Sequence, residues 1–352
     1  MSIGHNIALI AVTQKGRELA KVLKTKLDTG DIYTTSKLKE IETFEIMPSL
    51  SELVGELFKK YDTLVFIMAT GIVVRMIAPY LEDKLKDPAV IVIDEMGKNV
   101  ISLLSGHMGG ANQMTLLISK HLDSHPVITT STDVNEKSAL DNIAKTLEAS
   151  IDNFRETVKD INYRLVHDQT VGLYQEYDYK INTRGFTSIK SLENIKSQED
   201  LKTFDKVVCI TYKKDLGFKN PKMIRVIPRD LVVGIGCRKD TPKELLEESF
   251  NDFLEKYNID SQAIKCLASV DVKEHETAII ALSGKLGVPF QIVARPEIAK
   301  IDHLFEKSEF VKKNIGVYSV AEPVAFLLSG GNLWIKKQKY KGITFAIGRI
   351  QR

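Results

Sequence analysis

Cysteine is scarce in this chain: three in 352 residues. Cys209, Cys237 and Cys266 lie far apart, form no CxxC pair and show no zinc-ligand spacing. That excludes a disulfide scaffold and leaves reduced thiols in a cytosolic protein as the expectation. Long apolar runs are missing too. No stretch approaches the roughly 20 apolar residues of a membrane span. The opening "MSIGHNIALIAVTQKG" is too short in its apolar run to be read as a signal peptide. A cytoplasmic location with no membrane partner is expected. Excess charge of one sign is also absent, the formal net charge being +3. With no basic stripe interleaved with aromatics, this argues against a nucleic-acid partner. It does not exclude an acidic small molecule. Nucleotide motifs are lacking as well. There is no GxxxxGK[ST], and "VVGIGCRKD" offers GxG without the third glycine or a ribose-binding acid.

What is present is ordinary globular composition, 43% hydrophobic and 27% charged, with length enough for two or three domains. The first part alternates apolar strands with helical spacing. "NIALIAV", "TLVFIMA", "AVIVIDE", "NVISLL" and "PVITT" read as strands, and "KGRELAKVLKTKL" reads as a helix. "EMGKN" marks one hairpin turn. From about Asn135 the pattern turns polar. "YRLVHDQTVGLYQ" and "DYKINTRGF" read as short β segments, and "NIKSQEDLKTF" as a surface helix. The α/β rhythm resumes at "DLVVGIGCRKDTPKELLEESFNDFL". The expected fold is α/β: two α/β domains with mostly parallel sheets, residues 1–134 and 230–352, joined by a smaller α+β middle region, 135–229.

The glycine turns carry the chemistry. "LLSGHMGGANQ" places Gly106, Gly109 and Gly110 around His107, between a strand and a helix start. Such a start offers unpaired N–H groups to an anion. His107 is a candidate for proton transfer or an anion contact. Asn112 suits a cap or a ligand contact. "ATGIVVRMIAP" puts Gly71 at a turn and Arg75 in a first helical turn, where its charge fits the dipole poorly. Arg75 could grip a carboxylate, or pair with Glu82 or Asp83. "VIDEMGKNV" sets Asp94 and Glu95 at a strand end. Turn chemistry suits Asp94, and Glu95 is a candidate base. In "VITTSTDVN" Thr130 could help cradle an anion, and Asp133 could cap a helix near Glu136. Gly234, Gly236 and Arg238 form a second glycine turn beside a cation. Thr241, Pro242 and Glu244 read as a capping box with proline at N1. Lys273 and Glu276 could reach a pocket, or Glu276 could serve the helix dipole. Ser319 and Glu322 read as another capping box.

Taken in order, "TGIVVRMIAP", "DPAVIVIDEMG", "ISLLSGHMGGAN", "PVITTSTDVN", "VVGIGCRKDTP", "LASVDVKEHE", "SVAEPVAFLLSGG" and "ITFAIGR" resemble the cobalt-precorrin-5A hydrolase family, CbiG. The resemblance spans nearly the whole chain and is weakest in the middle. It implies a cobalt-bearing, ring-contracted tetrapyrrole substrate with a δ-lactone. The lactone is opened and the former bridge carbon leaves, with its methyl group, as acetaldehyde. It implies no cofactor and no protein metal site, because the cobalt belongs to the substrate. The candidate catalytic residues are then His107 and Glu95. The candidate pigment contacts are Gly71, Arg75, Gly106, Gly109, Gly110, Asn112, Thr130, Gly234, Gly236, Arg238, Lys273 and Glu276. Neighbouring pathway enzymes and a homodimer stay open as partners. A tetrapyrrole-binding protein without turnover is the competing class.

Overall fold

The computed structural model describes residues 6–195, 200–218 and 220–352. The chain divides into two compact units, Met1–Lys137 and Ser138–Arg352. The first runs β1 (Ile7–Ala11), α1 (Gln14–Leu27), β2 (Asp31–Thr34), β3 (Thr43–Glu45), α2 (Leu50–Lys60), β4 (Thr63–Ile67), α3 (Thr70–Ile77) and β5 (Ala89–Ile93). It continues through β6 (Asn99–Leu104), α4 (Ala111–Leu122), β7 (His125–Val127) and α5 (Ser131–Val134). The strands form one seven-stranded sheet in the order β3-β2-β1-β4-β5-β6-β7. All neighbours are parallel except β5 and β6, the hairpin that "EMGKN" announces. The alternation of β1 explains why both faces are covered. Ile7, Leu9 and Ala11 face one core with α1 and α4, while Ala8 and Ile10 face the other with α2 and α3.

The second unit contains two sheets. It begins α6 (Leu140–Thr146), β8 (Ser150–Ile151), α7 (Phe154–Val166), β9 (Val171–Gln175), β10 (Phe186–Ile189), β11 (Lys206–Ile210) and β12 (Met223–Ile227). These strands form a mostly parallel sheet, β10-β9-β11-β12-β8, in which only β8 runs antiparallel. Then come β13 (Leu231–Gly236), α8 (Lys243–Lys256), β14 (Ile264–Val270), α9 (Thr277–Leu286), β15 (Phe290–Val293), α10 (Arg295–Ile301), α11 (Glu309–Ile315), α12 (Ala321–Leu328), β16 (Leu333–Tyr340) and β17 (Ile343–Arg349). The last sheet has the order β15-β14-β13-β17-β16. β13, β14 and β15 are parallel, and the β16–β17 hairpin closes the other side. One apolar cluster runs from Leu140 through Val208 and Tyr212 to Phe345, so the middle and last regions share a core.

Several local expectations differ from the structure. "YRLV" ends helix α7, because Val158, Ile161 and Leu165 recur at helical spacing and are buried. "DYKINTRGF" is an irregular stretch up to Phe186, anchored by buried Tyr179, whose hydroxyl donates to Tyr212 at 2.7 Å. "NIKSQEDLKTF" lies partly outside the described residues. Its two flanks are short 3-10 turns.

Candidate functional site

A concavity lined by many polar groups lies at the carboxyl ends of β13 and β14. Ligands of open parallel sheets bind there, where successive connections diverge to opposite faces. The cleft measures about 820 Å³, within the usual size of a small-molecule site. Gly236 ends β13 and Arg238 follows it, and Lys273 and Glu276 follow β14. Phe310, Val311, Ile315 and Tyr318 supply an apolar wall, and Lys337 and Lys339 reach in from β16. Arg238, Lys239, Lys273, Lys307, Lys337 and Lys339 line it against only Asp240, Glu276 and Glu306. Such a lining attracts polyanions.

Each group has a local reason for its place. Thr344 Oγ1 donates to the Gly236 carbonyl at 3.1 Å, tying the end of β13 to β17. Thr241 Oγ1 donates to the Arg238 carbonyl at 2.8 Å, which closes the turn. That use of its hydroxyl undoes the expected capping box: α8 starts one residue late, with Pro242 at the N-cap. Lys337 and Lys339 share a face because strand side chains repeat every second residue. The Lys337 ammonium lies 2.9 Å from Glu306. It and Lys339 hold the Glu306 carboxyl below the usual carboxylate range. Val320, not Ser319, is the N-cap of α12, so the expected Ser319–Glu322 box is not formed. Glu322 instead accepts the Lys337 backbone N–H at 3.2 Å.

The floor of the cleft holds a buried ion pair. Lys273 Nζ lies 2.8 Å from Glu276 Oε2, with side chains 8% and 6% exposed. A short turn, Asp271–Lys273, and the N-cap position of Glu276 on α9 bring the two together. Cys237 also lines the cleft. Burial pushes its thiol up, with Lys273 opposing and Glu276 adding to the rise. It is no thiolate nucleophile at neutral pH.

Gly234 is a correction. A Cβ there would sit 1.9 Å from the Ala321 carbonyl oxygen. Its role is close packing of α12 on the sheet, not ligand contact.

In the first unit the glycine loop is engaged with its own protein. His107 Nε2 lies 2.8 Å from Asp133 Oδ2 and 3.2 Å from Thr132 Oγ1. Asn112 Nδ2 donates to Thr130 Oγ1 at 2.9 Å and to Asp133 Oδ2 at 3.0 Å. Thr130 donates to the same oxygen at 2.6 Å, and Ser102 donates to Asn112 Oδ1 at 2.7 Å. Gly106 leaves room for the Asn112 amide, and Gly109 lets the loop close on Ser105. Gly110 takes φ +89° as the N-cap of α4. Asp133 is the acceptor at the centre and caps no helix near Glu136; α6 begins only at Leu140. Reading Asp133 as a simple cap concealed this.

Glu95 and His107 do not meet. Glu95 is exposed in the β5–β6 turn, past the carboxyl end of β5. The His107 loop lies at the other end, where a Cβ on Gly109 would be 3.2 Å from the Ala89 nitrogen. The strand between is roughly 13 Å, four steps at about 3.3 Å. Standing at opposite ends of β5, the two candidates do not share one acid–base site. Arg75 is also corrected. It lies in the last turn of α3, not the first, where the dipole suits a cation. It is exposed and donates to the Gly71 carbonyl at 3.0 Å.

Sequence reasoning missed the α11 wall and the β16 lysines. The alternation in "KKQKYK" could have revealed Lys337 and Lys339 as one face of a strand.

A mostly parallel α/β protein with a cationic, partly apolar cleft and a buried acid–base pair has the features of an enzyme for anionic small molecules. Three family descriptions match this chain: "Cobalamin synthesis G N-terminal" over residues 52–133, "Cobalamin biosynthesis central region" over 138–228, and "Cobalamin synthesis G C-terminus" over 231–348. The cobalt-precorrin-5A hydrolase of Salmonella typhimurium is 38% identical over 349 residues, covering 98% of this chain and 97% of that protein. That of Priestia megaterium is 31% identical over 366 residues, covering 97% and 94%. A solved structure of a cobalamin biosynthesis protein G homolog from Sulfolobus solfataricus aligns over 98% of this chain and 97% of its own. Its identity is 25% and its TM-score 0.42. The chain belongs to the cobalt-precorrin-5A hydrolase family, CbiG.

Proposed function

We propose that this chain is a cobalt-precorrin-5A hydrolase of anaerobic cobalamin biosynthesis. It opens the δ-lactone of its substrate and releases acetaldehyde to give cobalt-precorrin-5B. The observation that carries this reading is the near-full-length likeness at 38% identity to a hydrolase of that name. The cleft supports it. A tetrapyrrole at this stage carries several acetate and propionate carboxylates around a broad apolar ring. Arg238, Lys239, Lys307, Lys337 and Lys339 offer those carboxylates charge-assisted hydrogen bonds. Phe310 and Tyr318 offer the ring an apolar face. Cobalt arrives and leaves with the substrate. The chain works in the cytoplasm; among the described residues no helix is long and apolar enough to cross a membrane.

The test is incubation of the purified protein with cobalt-precorrin-5A, mass spectrometry of the pigment and trapping of acetaldehyde. Loss of a two-carbon unit with one acetaldehyde per pigment is expected. A pigment that binds and keeps its lactone would refute turnover.

A further inference from the structure

We propose that Glu276 and Lys273 do the acid–base work of lactone opening and carbon–carbon cleavage, an assignment that rests on the reaction proposed above. Six cations line the cleft, but Lys273 stands apart. Arg238, Lys239, Lys307 and Lys339 are exposed at its rim and Lys337 is half-buried, whereas Lys273 is buried. Its partner is the buried carboxylate among the three that line the cleft, since Asp240 and Glu306 are exposed.

Stability gives little reason for such a pair. Removing two charges from water offsets most of their attraction, and apolar residues often serve as well. A buried carboxylate and ammonium facing one cavity are, however, what two successive proton transfers need. Glu276 sits at the N-terminus of α9, whose first-turn N–H groups place partial positive charge beside the carboxylate. Lys273 holds Oε2 at 2.8 Å, which fixes the carboxylate's orientation.

The steps balance without an oxidant or a metal. Glu276 takes a proton from water as the water oxygen bonds to the lactone carbonyl carbon. The Lys273 ammonium stabilises the resulting oxyanion. The acyl carbon–oxygen bond then breaks, and Glu276 returns the proton to the departing alkoxide on the bridge carbon. In the second step Glu276 takes that hydroxyl proton. The oxygen electrons form the carbonyl of acetaldehyde, and the bond to the macrocycle breaks. Its electron pair goes to the ring carbon, which Glu276 reprotonates. One water is consumed, and the carboxylate ends as it began. The half-buried Cys237 thiol is left as a bystander.

Two variants test this: Glu276→Gln, and Lys273→Met with Glu276→Gln. The second leaves no unpaired buried charge, so it folds even if the first does not. Thermal melting, pigment binding and acetaldehyde release are measured on each. Binding within about ten-fold of wild type with turnover slowed at least ~100-fold supports the assignment. The pigment should then keep its lactone. A folded variant that releases acetaldehyde within ten-fold of the wild-type rate overturns it. A wild-type protein that binds the pigment and releases none overturns the reaction itself, a separate failure visible in the control.

Discussion

His107 Nε2 lies 2.8 Å from Asp133 Oδ2, so the imidazole of the glycine loop is fastened to the turn that follows β7. The same oxygen receives Asn112 and Thr130. One carboxylate thus gathers three segments: the β6–α4 loop, the start of α4 and the start of α5. Its carboxyl is held below the usual range by the His107 bond. Burial opposes that, and Thr130 and Asn112 add to it. A depressed pKa contributes stability above the ordinary aspartate value and loses it as pH falls through the lowered one. The latch therefore holds at neutral pH and opens in acid.

Asp133→Ala should unfasten this loop. Loss of a shared acceptor costs about 1–3 kcal/mol, read as a lower urea midpoint. Amide exchange over 105–112 should quicken. His107→Gln keeps one hydrogen bond and should be milder, with acetaldehyde release within about ten-fold of wild type. If His107→Gln instead folds, binds pigment and slows at least ~100-fold, proton transfer belongs to His107.

The cleft cations other than Lys273 should set affinity more than rate. Arg238→Ala and Lys337→Ala each remove a charge that faces the cleft. A hydrogen bond to a charged group is worth about 1.5–3 kcal/mol, or roughly ten-fold and more in affinity. Screening by solvent puts exposed Arg238 at the lower end. Pigment titrations at rising salt should show the wild type losing affinity fastest. Equal salt slopes in wild type and variants would count against carboxylate recognition here.

Gly234 and Gly284 make a paired prediction about packing. A Cβ at Gly234 would meet the Ala321 carbonyl, a backbone atom of α12 that cannot rotate away. Gly234→Ala should cost about 3 kcal/mol or more, as overpacking does at its upper end. Gly284 lies within α9 with nothing within 4 Å of a Cβ. Gly284→Ala should stabilise by about 0.5–1 kcal/mol. Chemical denaturation of both reads the contrast, and similar midpoints would refute the packing role of Gly234.

The strands of the first and last sheets were legible because they are continuous apolar runs such as "IALIA" and "TLVFI". The short β2 and β3 were not. "DIYT" and "TFE" have too few residues to show a period, and they are fixed by pairing with β1 and with each other. Single glycines misled for a related reason. Gly234 and Gly236 look alike in "GIG", yet one packs under a helix and the other ends at the cleft. Only a fold that places α12 over β13 distinguishes them. Glu95 and His107 are twelve residues apart in sequence, but the β5–β6 hairpin sends them to opposite ends of the sheet. The cleft residues Arg238, Lys273 and Glu276 were within reach because each follows a readable strand. The α11 wall was not, since it arrives through long connections after β15.

The last prediction concerns Asp230, which is wholly buried just before β13. Burial pushes its carboxyl up to about 6, against the pull of Tyr212, Arg352 and Arg349. An unfolded aspartate titrates near 3.9. Between these values the folded chain binds more protons than the unfolded one. Stability must then fall as pH rises from about 4 through 6. The two-unit displacement corresponds to a change on the order of 2–3 kcal/mol. Asp230→Asn has no such titration. Its stability relative to wild type should therefore climb across that window and level off above it. Urea melts of both proteins at pH 4.5, 5.5, 6.5 and 7.5 would show the difference. A difference that is flat, or that runs the other way, would mean that Asp230 is ionised throughout and that the surrounding arginines outweigh its burial.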